Sequence, residues 1–248
     1  MTSEMRDAAE WHPGPAFSWA GAFISTVAVD AAIGRWVMLP LFVMGFYGGM
    51  VIIDLLTYTL LSWWRRWLHP RGVRAWYLVE VGGLWIGTAA VLALLAPRWL
   101  DWGWDRALPL QVAGVLVLVP SVTVGIWACA RMGWARLLFA SALFPPERGV
   151  ANLVPQRLVI TGPYRYVRNP LYNTDVTVIL GTMLLTLKWG LAILLAAYLL
   201  QLVMQLYLEE RELKARFGKA YERYCRLVPR FIPRLTPVDP ADIHRDVP

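Results

Sequence analysis

Apolar residues run almost unbroken over 17–33, 37–61, 76–96, 109–130, 173–187 and 189–208. Most of these stretches approach or exceed the roughly 20 residues that a helix needs to cross a hydrocarbon core. The pattern predicts an all-α fold, a multi-spanning transmembrane helical bundle of five to six spans. The first stretch is rich in Ala and Gly, carries Asp30, and is parted from the second only by Gly34-Arg35-Trp36. A re-entrant or interfacial segment there would leave five spans. The last two stretches separate only at Lys188-Trp189-Gly190, which predicts a tight C-terminal helical hairpin.

The pattern changes after Leu208. Leu213, Phe217, Tyr221, Tyr224 and Val228 recur at three- and four-residue spacings, one apolar stripe on an amphipathic helix. Lys214, Arg216, Lys219, Arg223 and Arg226 lie elsewhere around it, Gly218 interrupts it, and Pro229 and Pro233 end it. Two placements suit such a C-terminal helix: flat on the anionic inner leaflet, or packed over the inner mouth of the bundle.

Composition supports the membrane reading. Of 248 residues, 58% are hydrophobic and only 17% charged, against about a quarter charged in a soluble domain. The net charge of +7 would suit nucleic acid, but its placement argues against that partner. Arg65, Arg66, Arg71, Arg74, Arg131, Arg136, Arg148, Arg157, Arg165 and Arg168 fall in alternate connections, with nine more basic residues after Leu208. The intervening connections hold only Arg35, Arg98, Arg106 and Lys188. By the positive-inside bias both termini are expected in the cytoplasm. Residues 1–15 lack the basic-then-apolar order of a signal peptide.

Cys129 and Cys225 have no CxxC or metal spacing, and His12, His69 and His244 are widely scattered, so no metal is expected. Trp99, Trp102 and Trp104 beside Asp101 and Asp105 read as an outer interfacial belt; Trp63, Trp64 and Trp67 beside arginines read as an inner one. Asp54 lies within the second span, where an acid is costly. It is either functional or a neutral acid bonded to a nearby Ser or Thr.

Two charged elements sit at the rims of the last hairpin. The first is LVITGPYRYVRNPLY, residues 158–172. Gly162-Pro163 enforces a turn, and Pro170 suits the first turn of a helix whose open N–H groups favour an anion. Arg165 and Arg168 offer fork-shaped donors for a carboxylate, and Tyr164, Tyr166 and Tyr172 offer ring faces to a purine or a cation. The second is LEERELKARFGKAYERYCRLVPRFIPR, residues 208–234, opening on Glu209 and Glu210. The hairpin brings its start near the first element. Arginines on one wall and paired acids on the other suit a ligand bearing both carboxylate and ammonium; ordinary interfacial salt bridges are the alternative.

Together, GPYRYVRNPLY, a hydrophobic hairpin and LEEREL…RFGKAYERYCRLVPRFIP resemble the isoprenylcysteine carboxyl methyltransferases, a group of integral membrane methyltransferases that includes the phospholipid N-methyltransferases. The resemblance covers about 130–235. It implies N-terminal transmembrane helices over 1–130, a cofactor-binding core over 131–235 and a polar tail over 236–248. It also implies S-adenosylmethionine as methyl donor at the cytoplasmic face and a lipophilic small-molecule or lipid acceptor entering from the membrane. Tyr164, Arg165, Arg168, Asn169, Pro170 and Tyr172 match the family's loop, and Glu209 and Glu210 its paired acids. On this reading Arg165 and Arg168 orient the cofactor carboxylate, and the acids bind its ammonium or ribose. Tyr172, Glu209 and Glu210 are the candidate catalytic groups for an acceptor proton.

Three residues depart from the family pattern. Asn169 stands where many members have His, and Thr174 stands in place of a Gly. Gln205 replaces an Arg of the isoprenylcysteine enzymes, which weighs against a carboxylate acceptor. Two other classes fit a helical membrane chain. One is an NADPH-dependent reductase of sterol-reductase-like architecture, although no extra basic cluster suits a 2′-phosphate. The other is a non-enzymatic transporter or partner protein, although no Gly/Pro-broken helices recur in matching halves.

Overall fold

The computed structural model of the chain describes residues 13–68, 70–71, 75, 77–104, 106–132 and 158–244. All helices and turns among them are of α, 3-10 or π type, with no strand beyond an isolated bridge between Gly103 and Lys188. In chain order the helices are α1 (Pro13–Ile33), α2 (Met38–Thr59) and α3 (Leu61–Leu68). A π-helical stretch, Tyr77–Trp85, runs into α4 (Ile86–Leu95), and the short α5 (Pro97–Leu100) follows. Then come α6 (Leu108–Met132), a 3-10 turn (Gly162–Arg165), α7 (Pro170–Thr186), α8 (Leu191–Leu227) and α9 (Pro240–His244).

Three of these helices, α2, α6 and α8, are long and apolar enough to cross a membrane. The apolar parts Ser18–Ile33 and Gly82–Leu95 are shorter, and α7 has 17 residues. The five to six spans expected from hydropathy therefore correspond to three full-length helices plus shorter helical stretches.

The chain divides into two compact units. One takes in Trp19–Ser121 and Asp175–Val203, the other Met1–Ser18, Val122–Thr174 and Met204–Pro248.

Within the first unit, Asp30 explains why a carboxylate interrupts an apolar run. It is only 2% exposed. Its Oδ1 accepts from the backbone N–H groups of Val37 and Met38 at 2.9 and 2.7 Å, and its Oδ2 from Leu39 at 2.8 Å. These are the amides at the start of α2 that have no helical acceptor. A negative group there also opposes the positive helix end. Asp54 is fully buried, and its Oδ2 accepts from Gln201 Nε2 at 2.5 Å. An amide from α8 thus reaches the acid that sequence reasoning assigned either to function or to a nearby Ser or Thr. Nearby in the same unit, the buried Tyr198 donates its hydroxyl to Asp175 Oδ2 at 2.7 Å and meets the Tyr47 ring edge-on.

The turn joining α7 to α8 pairs with the loop after α5. Trp104 N–H donates to Leu187 O (3.3 Å), and Trp189 N–H donates to Trp102 O (3.0 Å). Trp102 and Trp104 are largely exposed, as an interfacial belt requires. In the other tryptophan cluster Trp63 is exposed but Trp64 is buried, so that cluster is part core and part surface. Gly114 lets α6 and α7 cross closely, since a Cβ there would fall 2.5 Å from Leu185 N.

The second unit holds the charged end of α8. The sequence pattern starts a separate amphipathic helix after Leu208, but α8 runs on past that point, and a second helical segment to Leu227 begins only after Gly218. The break, at Gly218, has φ 49 and ψ −126. Beyond Leu227, residues 228–238 form a strap of bends and irregular backbone. Val228 and Val238 at its ends and Ile243 beyond it are buried with Ile160, Tyr221 and Tyr224. Residues 236–248, read from sequence as a polar tail, thus contribute two side chains to a hydrophobic core.

Candidate active site

The loop after Ile160 is shaped by its glycine and prolines. Gly162 has φ +59, and a Cβ there would lie 2.9 Å from Trp127 Nε1 and 3.0 Å from Arg131 Cγ. Both the backbone angle and the space demand glycine. Pro163 continues the turn, and Tyr164 is buried. Tyr224 fixes the turn by donating its hydroxyl to Tyr164 O at 2.8 Å. Pro170 then opens α7, as the sequence suggests, and Asn169 O accepts the first helical bond, from Asn173 N at 3.1 Å.

This arrangement brings four of the predicted residues together. Arg168 Nη1 donates to Glu210 Oε1 at 3.3 Å and to Cys225 Sγ at 2.6 Å. Glu210 Oε2 accepts from Arg230 Nη2 at 2.6 Å. One turn position away, Tyr172 donates its hydroxyl to Glu209 Oε2 at 2.7 Å. The Arg168 and Glu210 side chains are only 12% and 16% exposed, whereas Arg230 is 47% exposed. A pair so shielded interacts more strongly than a surface ion pair, because water screens it less.

Other predicted residues serve the strap. Arg165 Nε donates to Val238 O at 2.7 Å, and Val238 N–H returns a bond to Arg165 O at 3.1 Å. Asn169 Nδ2 donates to Arg230 O at 3.3 Å, so this side chain holds backbone. Sequence reasoning missed Arg230, Cys225 and Asn173. Asn173 Nδ2 donates to Phe231 O at 2.6 Å, parallel to Asn169. The run PRFIPR around Arg230 was the available signal, but nothing local says that it pairs with the loop.

Thr174 is explained by its partner. It is buried, and a Cβ on Gly125 of α6 would sit 2.6 Å from its Cγ2. The space that a glycine would leave on α7 is here provided by a glycine on α6.

The charges suit a zwitterionic ligand. Two guanidinium groups, Arg168 and Arg230, meet Glu210 beside the second acid, Glu209, so the site offers both signs of charge. Arg168 Nε is buried and has no hydrogen-bond partner among the described residues, and a buried donor in that state is costly until an acceptor arrives. No group of His, Cys, Asp and Glu among the described residues could hold a metal ion.

Two comparisons with known proteins give a match. Residues 110–220 match the phospholipid methyltransferase family. The chain is 27% identical over 244 residues to the methanethiol S-methyltransferase of Mycobacterium tuberculosis (strain ATCC 25618 / H37Rv), covering 88% of this chain and 90% of that protein. No solved structure matches the chain. The matched part of the chain includes the loop, α7 and the acids of α8, and stops short of the strap.

Proposed function

We propose that the protein transfers a methyl group from S-adenosylmethionine to a small lipophilic thiol. The observation carrying this reading is the joint placement of Arg168 on Glu210 and of Tyr172 on Glu209. The donor end fits these residues. Arg168, with its buried Nε, and Arg230 would hold the carboxylate, while Glu209 and Glu210 would face the ammonium or ribose. When bound, S-adenosylmethionine supplies an electrophilic methyl on a sulfonium sulfur.

The chain then has two tasks, alignment with exclusion of water and handling of one proton. A thiol must lose its proton to become a strong nucleophile. Glu209 is the base in this reading: its carboxylate takes the S–H proton, and the Tyr172 hydroxyl steadies that carboxylate. A thiol acceptor agrees with the name of the mycobacterial relative and with Gln205, which offers no cation to an acceptor carboxylate. The loop, both termini and the site are assigned to the cytoplasmic face by the charge bias.

The test uses purified protein in lipid nanodiscs with methanethiol and S-adenosylmethionine. Dimethyl sulfide detected by mass spectrometry, together with calorimetric binding of the donor, is the expected result. Binding of NADPH and not of S-adenosylmethionine in parallel titrations would overturn it in favour of a reductase.

A further inference from the structure

The strap has two unlike sides. Its backbone faces the loop: Arg168 N–H donates to Pro229 O (2.9 Å), Arg234 N–H to Tyr166 O (3.0 Å) and Val238 N–H to Arg165 O (3.1 Å). Asn169 and Asn173 add side-chain bonds to the carbonyls of Arg230 and Phe231. Both ends are sunk in the core, Val228 at 0% and Val238 at 6% exposed. The middle is the reverse. Phe231 is 38%, Ile232 81% and Leu235 100% exposed, although all three are apolar. Single exposed apolar residues are ordinary, but three within five residues on a pinned loop form a patch that calls for a cover.

Charge identifies the cover. Arg226, Arg230 and Arg234 lie beside or within this stretch of the chain and are exposed. Arg234 Nη1 donates to Leu227 O and Arg230 Nη2 to Glu210, which restrains both side chains. Apolar tips interspersed with arginines match the boundary of an anionic leaflet, where acyl chains receive the tips and headgroup phosphates receive the guanidiniums. The chain has membrane-spanning helices of its own, so such a surface is always at hand.

We infer that residues 231–235 insert into the anionic leaflet of the membrane that the protein spans, so that lipid holds the strap against the loop. The inference goes beyond methyl transfer, and its test needs no methyl donor, so its failure is distinct from failure of that activity. The wild-type protein is placed in nanodiscs of phosphatidylcholine, alone or with phosphatidylglycerol, each containing a photoactivatable acyl-chain lipid. Cross-linked peptides are then mapped. Label is expected within 231–235 at a level comparable to the apolar half of α8. Phosphatidylglycerol should raise it about fivefold, the factor expected for one arginine near an anionic surface. The double variant Ile232→Asp, Leu235→Asp should lose the label on the strap and keep it on α8. Label on α8 with none on 231–235 would overturn the inference. So would strap label indifferent to phosphatidylglycerol, or protein cross-links joining the patch to a second copy of the chain.

Discussion

Arg168 and Arg165 are three residues apart on one loop, yet they act on different partners. Arg168 reaches Glu210 and Cys225, while Arg165 turns to the carbonyl of Val238. Their replacement should therefore separate two effects. Arg168→Ala leaves the half-buried Glu210 with only the exposed Arg230, and on the proposed reading it removes the carboxylate anchor. We expect S-adenosylmethionine affinity to fall at least tenfold by calorimetry, since hydrogen bonds to charged groups contribute about 1.5–3 kcal/mol each. Arg165→Ala should weaken the strap first, seen as faster amide exchange over 228–238. Glu209→Gln keeps the shape and removes the proposed base. The rate of product formation should drop by about two orders of magnitude or more, while the Tyr172 contact persists. Unchanged turnover in that variant would remove Glu209 from the mechanism.

Helices fail in different ways, and two glycines separate the causes. At Gly218 an added Cβ would meet nothing within 4 Å, but the backbone angle is one that L side chains avoid. Gly218→Ala is expected to cost about 1–3 kcal/mol through backbone strain alone. At Gly114 the fault is space, because the new Cβ would press on the backbone of α7. Denaturant unfolding of both variants in detergent should show destabilisation, with Gly114→Leu worse than Gly114→Ala and Gly218→Leu close to Gly218→Ala. Asp30→Ala removes the acceptor for three amides at the start of α2. Helix caps contribute about 0.5–2 kcal/mol, and this triple acceptor should fall at or above the upper end in the same assay. These elements also show what sequence makes visible. The apolar runs gave α2, α6 and the first half of α8 to within a few residues. They placed the change of element after Leu208, whereas the helix runs on through Glu209 and Glu210 and breaks only at Gly218. A change of environment along a helix looks, in one dimension, like a change of element.

For the whole molecule, the strap is the feature with the largest predicted consequence. A chain ending after Leu227 keeps its apolar helices but loses the partners of Arg165, Asn169, Asn173 and the Arg168 amide. It should still insert into membranes and should bind no S-adenosylmethionine; membrane fractionation and calorimetry on the truncated protein check the two halves separately. The charge asymmetry makes a further prediction. Reporter fusions at either terminus are expected to report a cytoplasmic position, and a periplasmic or extracellular signal from the C-terminal fusion would reverse the assignment of the site to the inner face.

The chain by itself determined the helical class, the membrane setting and the two motifs whose union resembles the membrane methyltransferases. These are written locally, in hydropathy, in turn-forming residues and in the order of charges. Pairing is not local. That Arg168 meets Glu210, that Gly125 makes room for Thr174, that Asp30 caps the following helix and that the strap binds the loop all depend on how elements rotate and where α8 bends. Only the folded structure decided these contacts, because each one needs two distant segments to approach within a few ångströms, and no residue pattern in either segment specifies the other.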